Sequence, residues 1–455
     1  MKTHNGKRHW SGGIDKAAAR IAVVYRPIAE LKLNPNNPRA HSPRQIRQIA
    51  RSVETFGFIV PVLVDVHGNV IAGHGRVLAA QLLGWIDVPT ISVDHLSEAQ
   101  ASAFAIADNR LTENSSWDER LLGEQLKLLA ELELDFSLDV TGFEIGEIDL
   151  RIEGLAAQPE DNDPADALPE PQAGSLVTRP GDIWQLDGHR VSCGSALEEG
   201  SYLALMRTEQ AAMAFTDVPY NLRIEGNVSG LGAIHHRDFA MASGEMDEEQ
   251  FTAFLFRAFS RLASHTVDGA LHYIFIDWRH IGELLAAGQD VYAELKNVCV
   301  WVKNHTGMGA FYRSRHELIF VFKYGRAPHR NNIQLGKFAR DRTNVWVYPS
   351  PRTLSDEGNL LALHPTVKPV RLVADAILDC SARGDIVLDS FLGSGTTVIA
   401  AQRTGRRCYG LELDPRYVDI IVRRWQAFTG ERARHASSGK LFNEIEGEAG
   451  EDHGT

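Results

Sequence analysis

Ile386-Val387-Leu388-Asp389-Ser390-Phe391-Leu392-Gly393-Ser394-Gly395-Thr396-Thr397 is the stretch that decides how this 455-residue chain folds. Ile386 to Leu388 is a short apolar, largely β-branched run, which reads as a buried strand. It ends in an acid, passes through a glycine turn and enters a helix (Val398-Ile399-Ala400-Ala401-Gln402-Arg403). Glycine permits the tight turn and lets a ligand approach the backbone, while the helix N-terminus favours a carboxylate or phosphate. A second strand, Arg407 to Leu411, ends at Glu412, where a carboxylate can accept hydrogen bonds from both hydroxyls of a ribose. A lone G-x-G reads equally well as a packing turn. The acid at the second strand end tips the reading to nucleoside binding. The pattern lacks the lysine of a P-loop and the third glycine of a dinucleotide fingerprint, so triphosphates and NAD fit poorly.

Outward from this stretch, strand-like and helix-like segments alternate. Strands are expected at Ala211 to Thr216, Leu271 to Asp277, Asn297 to Lys303, Glu317 to Lys323 and Asp385 to Asp389, with helices at Glu248 to Leu262 and Val370 to Cys380. Such alternation predicts an α/β, doubly wound sheet with ligands at the carboxyl ends of its strands. Residues 156–180 hold five prolines and several acids with almost no apolar periodicity, a linker composition. The expected organisation is a flexible N-terminus (1–24), a smaller α+β module (25–155), the linker (156–180), the large α/β module (181–435) and an acidic tail (436–455). In the smaller module, Ile46 to Phe56, Arg76 to Leu83, Glu98 to Asp108 and Glu119 to Leu134 carry helical periodicity. Pro61 to Asp65 and Val70 to Ala72 read as strands joined at His67-Gly68-Asn69.

Composition sets the outer bounds. A 44% hydrophobic content supports a substantial core. No apolar run is long enough to span a bilayer, and the N-terminus lacks the apolar core of a secretory signal. The four cysteines are widely scattered, which argues against a zinc site and a disulfide framework, so no metal is expected and a reducing cytoplasm fits. The net charge of −12 does not exclude nucleic acid, because lysine and arginine cluster in Arg313 to Lys337, Arg340 to Arg342 and Arg403 to Arg407.

The expected strand Ala211 to Thr216 ends in Asp217-Val218-Pro219-Tyr220-Asn221. An exocyclic amine of adenine or cytosine is a poor nucleophile, because its lone pair is delocalised into the ring. A carboxylate and a main-chain carbonyl accepting its two hydrogens favour a tetrahedral nitrogen, which can then attack a methyl sulfonium held in line. An aromatic ring beside them can stack on a base swung out of the duplex. Asp217, the Val218 carbonyl and the Tyr220 ring supply these parts, with Pro219 biasing Val218 toward extended backbone.

Here the sequence resembles the amino-type (N6-adenine or N4-cytosine) DNA methyltransferases, whose D-P-P-Y segment does this work. The resemblance spans Gly181 to Gly430. It includes His364-Pro365-Thr366-Val367-Lys368-Pro369, similar to the family's H-P-T-x-K-P, and Phe391-Leu392-Gly393-Ser394-Gly395-Thr396, similar to its F-x-G-x-G. The catalytic segment precedes the cofactor segment, an order resembling the β group, and Asp182 to Gly194 resembles the opening of phage and prophage members. Val218 stands in place of the family's first proline, and Ser390 where proline usually follows the strand acid.

The resemblance implies a Rossmann-like fold and S-adenosyl-L-methionine as cofactor, held by His364, Thr366, Lys368, Asp389, Phe391, Gly393, Gly395, Thr396, Thr397 and Glu412. It implies site-specific methylation of a flipped-out base in double-stranded DNA. Adenine N6 is preferred over cytosine N4, because D-x-P-Y is commoner among adenine enzymes. Lys303, Asn304, Arg313, Arg315 and His316, in a region mixing bases, aromatics and glycine, are the candidate DNA contacts. Localisation would be cytoplasmic and nucleoid-associated, with a homodimer left open.

Ala72-Gly73-His74-Gly75-Arg76 lies between a strand and a helix, so its amides and Arg76 can hold a phosphate. With Asn34 to Arg39 before it and Ile106 to Arg110 after it, the module resembles the ParB/sulfiredoxin N-terminal domain over Pro27 to Trp117. That resemblance implies nucleotide or DNA binding through Arg39, Gly73, His74, Gly75 and Arg76. A reading of another class remains alongside: a ParB-like DNA-binding regulator whose methyltransferase half is inactive.

Overall fold

The computed structural model describes residues 21–35, 37–132, 134–155, 163–169, 176–221, 244–304, 306, 311–333, 342–350 and 367–451, and divides into two compact units, Met1–Glu144 and Ile145–Thr455.

In the first unit, β1 (Val23–Pro27), β2 (Val62–Val64), β3 (Val70–Ala72) and β4 (Asp87–Ser92) form a four-stranded sheet in the order β1-β4-β2-β3. Helix Pro43–Phe56 starts where Ser42 accepts a hydrogen bond from the Gln45 amide and stops at Gly57, whose φ of 82° suits glycine. Helices His74–Leu82, Glu98–Glu113 and Glu119–Ala130 follow, with Glu98–Glu113 opened by a Ser97/Gln100 capping box. Val62, Val64, Val70, Val77, Ala80 and Val88 make the core. β4 escapes the sequence reading because Pro89 interrupts its pattern.

Among the described residues the second unit is built on ten strands: β5 (Ile183–Leu186), β6 (His189–Cys193), β7 (Ala211–Asp217), β8 (Thr266–Ile276), β9 (Glu294–Val302), β10 (His316–Lys323), β11 (Val345–Val347), β12 (Ile386–Asp389), β13 (Arg407–Glu412) and β14 (Arg434–His435). Their order is β11-β9-β10-β8-β7-β12-β13-β6-β5-β14, with the central run β8-β7-β12-β13-β6 all parallel. Alternate residues serve opposite layers. Tyr273 and Phe275 of β8 join a core with Val373 and Ile377 of helix Val370–Cys380 and Val398 of helix Thr396–Thr404. Ile274 and Ile276 instead meet Phe251, Leu255 and Phe259 of helix Glu248–Ser264 and Leu284 of helix Ile281–Val291. Strand order reverses between β12 and β7, and at such a switch point a crevice opens beyond the carboxyl ends of the strands.

Three expected boundaries move. Helix Ile145–Glu153 belongs to the second unit, because Asp149 pairs with Arg406 there, at 3.1 and 2.8 Å. Within the expected linker 156–180, Asp163–Pro169 and Leu176–Pro180 are docked. The Arg424 guanidinium donates to the Ala165 carbonyl (2.9 Å), and the Val177 and Thr178 amides donate to Asp419 (both 3.0 Å). The segment expected as an acidic tail, 436–455, contributes helix Phe442–Glu451. Phe442 is fully buried, edge-on to Trp184 at 5.0 Å. A polar composition conceals such segments because their anchors are single residues. Among the described residues, no helix is long and apolar enough to cross a membrane, and no group of three or more His, Cys, Asp or Glu could hold a metal ion.

Candidate active site

The turn after β12 carries most of the residues expected at a cofactor site. Asp389 is buried at the strand end, accepting from the Thr397 hydroxyl (2.6 Å) and the Phe391 amide (3.1 Å), and burial pushes its carboxyl up to about 6. Gly395 adopts a φ of 80° as it caps helix Thr396–Thr404, where any side chain would meet Ile421. Arg424, itself buried, donates to the Ser394 carbonyl (3.0 Å) and the Thr396 hydroxyl (3.2 Å), fixing the loop from below. On the neighbouring strand, Glu412 accepts from the Gly393 and Asp414 amides (both 2.9 Å). Its burial raises the carboxyl to about 7. A part-buried carboxylate that takes one backbone amide on each oxygen still has a lone pair on each for a pair of ribose hydroxyls. The residues present therefore fit an adenosyl cofactor.

β7 places the second part across the switch point. Asp217 closes the strand, opposite Phe275 of β8. The Tyr220 hydroxyl donates to Asp217 Oδ1 at 2.6 Å, and the Lys368 ammonium donates to Oδ2 at 2.5 Å. Lys368 Nζ also lies 3.0 Å from Glu317 Oε2, while Lys303 pairs with Glu317 Oε1. Burial raises the Asp217 carboxyl, Lys368 opposes this and Glu317 adds to it. For Glu317, burial acts upward but the ammoniums of Lys368 and Lys303 win and hold it down to about 2. The turn itself is pinned by Asn221, at a φ of 51°, whose side chain donates to the Met246 carbonyl (2.8 Å) and accepts from the Gly244 amide (3.0 Å). Val218 is buried among Phe251, Phe254 and Ile276, so an aliphatic side chain fits where proline would otherwise stand.

The structure thus brings Asp217, Val218, Pro219 and Tyr220 together at the end of β7, and Asp389, Phe391, Gly393, Gly395, Thr396, Thr397 and Glu412 around the β12 turn. Lys368, expected beside the cofactor, has its ammonium on the Asp217 carboxylate instead. Lys303, expected on the DNA face, turns into the same cluster. His364 and Thr366 lie outside the described residues. Asn304 accepts from the Ser350 amide (3.1 Å), and Arg315 donates to the Lys303 carbonyl (2.8 Å). Arg313 and His316 are exposed on the approach to β10, after Phe311 and Tyr312, which are 88% and 82% exposed. Glu317 and Trp301 were missed as site residues. Their strand patterns look like ordinary sheet, and only pairing of β9, β10 and β8 shows which ends converge.

In the first unit, Gly73 (φ 101°) caps the helix that begins with His74. His74 is buried, accepts from the Asn34 amide at 3.3 Å and is held below its usual range by burial and by His41. Arg76 Nε is buried without a hydrogen-bond partner, and Arg39 pairs with Glu113 at 3.1 Å. Gly75 is packed so closely that a Cβ would meet Ile49 at 2.9 Å.

A doubly wound sheet with a glycine turn at one strand end and an Asp–Tyr pair at the next defines the class of the second unit: a Rossmann-like, S-adenosylmethionine-dependent methyltransferase. Comparison with known proteins agrees. Residues 211–423 match the DNA methylase family, 15–110 the ParB N-terminal domain and 120–180 the ParB-methyltransferase HTH domain. The chain is 43% identical over 81 residues to the ParB-like nuclease domain-containing protein YnaK of Escherichia coli K12, covering 18% of this chain and 93% of that one. It is 28% identical over 246 residues to the type II methyltransferase M2.DpnII of Streptococcus pneumoniae, covering 50% of this chain and 86% of that one. PvuII DNA methyltransferase (cytosine-N4-specific) is a structural relative at 15% identity and a TM-score of 0.41, over 57% of this chain and 93% of that one. The chain belongs to the ParB–methyltransferase fusions, an N6/N4-type DNA methyltransferase domain behind a ParB-like domain. The helix-turn-helix match spans a stretch that sequence reading divided between the first module and the linker.

Proposed function

We propose that the chain methylates the N6 amine of adenine at specific sites in double-stranded DNA, acting on a base rotated out of the duplex. The observation that carries this reading is the pairing of Asp217 with Tyr220 at the end of β7, beside the β12 turn. The Asp217 carboxylate and the Val218 carbonyl accept the two amine hydrogens, and the lone pair localises on nitrogen. The Tyr220 ring offers a face for the base. S-Adenosylmethionine, when bound, supplies an electrophilic methyl group. Glu412 holds the ribose hydroxyls, the Gly393–Gly395 turn keeps the backbone clear for close approach, and Asp217 takes up the hydrogen bond of the N–H that becomes acidic. The preference for adenine rests on aspartate at position 217, which the family favours in adenine enzymes.

Arg313, Arg315 and His316 lie on the proposed DNA face, with Phe311 and Tyr312 beside them to fill the space of an extruded base. In the first unit, the Gly73–Arg76 turn with its unpartnered Arg76 Nε is proposed to hold a phosphate of nucleotide or DNA. Tritium transfer from labelled cofactor to DNA, followed by nucleoside chromatography, tests the reading. Label in N6-methyladenine is expected. Label in N4-methylcytosine would overturn the base assignment, and DNA binding without label would favour the regulator reading.

A further inference from the structure

We propose that Lys368 is a positioning residue for methyl transfer: anchored by Glu317, its ammonium keeps Asp217 in the carboxylate form and fixes the direction of its free lone pairs. The proposal rests on the function assigned above to Asp217. It departs from the cofactor-binding role implied by the H-P-T-x-K-P resemblance.

Geometry sets Lys368 apart from a solvated lysine. It is 5% exposed, yet its ammonium sits 2.5 Å from Asp217 and 3.0 Å from Glu317. Aromatic faces line the remaining sides, with ring centroids of Phe275 at 4.9 Å and of Tyr220 and Trp301 at 5.9 Å. Desolvated charge of this kind is stable only when compensated. Lys303 occupies the other oxygen of Glu317, so two carboxylates and two ammoniums form a neutral group of four.

The chemistry gives that arrangement a purpose. Only an ionised carboxylate can accept an amine hydrogen at either oxygen; a protonated one presents a donor. Two carboxyls sharing a buried ammonium would, without that cation, share a proton instead. With Lys368 on Oδ2 and the Tyr220 hydroxyl on Oδ1, each Asp217 oxygen keeps one lone-pair direction for the target amine. The groups acting on Asp217 come from several elements: Tyr220 on its own turn, Glu317 from β10, Asp389 from β12, and Lys368 ahead of helix Val370–Cys380, while Lys303, just past β9, acts on Glu317. Asp277, just beyond β8, acts on the Tyr220 hydroxyl.

The test is the carboxyl carbon-13 titration of Asp217 in the full chain, its signal assigned by loss in Asp217→Asn. Lys368→Met should raise the Asp217 titration by about one unit or more. Glu317→Gln should lower it, and Lys368→Arg, which keeps the charge, should return most of the wild-type value. The acid limb of single-turnover methyl transfer should move in parallel, with cofactor Kd unchanged. An unmoved titration in Lys368→Met would overturn the proposal, most plainly if cofactor Kd rose and returned Lys368 to the cofactor site. The near-isosteric Glu317→Gln keeps the test open should Lys368→Met fail to fold. Absence of any transfer by the wild-type protein, with the titrations as expected, would strike the assigned reaction alone.

Discussion

Replacing Asp149 by alanine should destabilise the methyltransferase unit, although Asp149 lies in the part of the sequence first assigned to the N-terminal module. Arg406 is buried and uses all five of its N–H donors: Nε on the Ser381 hydroxyl (3.1 Å), Nη1 on Asp149 (3.1 Å) and the Thr404 carbonyl (2.6 Å), Nη2 on Asp149 (2.8 Å) and the Ser381 carbonyl (2.8 Å). Arg383 lies a further 3.1 Å from the same carboxylate. Removing the carboxylate leaves two guanidinium donors unpaired and one positive charge uncompensated in the interior, a loss of about 3–5 kcal/mol. For a unit of this size that corresponds to a fall in Tm of roughly 5–8 °C. Differential scanning calorimetry measures it, and Asp149→Leu combined with Arg406→Met should recover most of the loss. An Asp149→Ala transition within about 1 °C of wild type would refute the docking of helix Ile145–Glu153 on the sheet.

Three further outcomes follow from the site. Glu412 titrates near 7 in the folded chain against about 4.5 when exposed, so the folded state holds the extra proton between those values. The cofactor-free unit should therefore lose stability as pH rises from about 4.5 to about 7 and change little from this group above it. Cofactor binding, which favours the ionised form, should strengthen through the upper part of that window; Glu412→Gln should flatten the dependence in isothermal titration calorimetry. Tyr220→Ala should lower kcat/KM by about 10- to 100-fold through lost base stacking of about 1–3 kcal/mol, while Tyr220→Phe, retaining the ring, should keep the greater part of that contribution. Gly410→Ala would put a Cβ 2.3 Å from Leu392, whose amide bonds the Leu411 carbonyl, so the β12 turn must shift. About 1–3 kcal/mol of stability should be lost in thermal melts, together with cofactor affinity.

Much of the central sheet was legible because parallel strands buried on both faces are written as continuous apolar runs. β7, β12 and β13 fall within a residue of the stretches that composition marks. β6 is absent from that reading: His189 and Ser192 break its apolar pattern, although both are buried, His189 through hydrogen bonds to Gln402 and the Cys408 amide. Local motifs located the Asp217 turn and the Gly393–Gly395 turn. No local signal could place Lys368 on Asp217, 151 residues away, or bring Glu317 to the same ammonium. That contact depends on the register of β8 with β10 and on where the chain enters helix Val370–Cys380. The docked pieces of the linker were hidden for a similar reason, since Asp166 reaches the Val370 amide (2.7 Å) across 204 residues.

In the proposed function two strand ends divide the work, one holding the cofactor and one holding the target amine. Asp217→Ala tests that division most directly, with S-adenosylmethionine binding followed by calorimetry and methyl transfer to DNA followed by label in the same preparation. Binding close to wild type with transfer abolished is the expected result. Transfer that survives the substitution would contradict the account, as would loss of cofactor binding in a variant that remains folded.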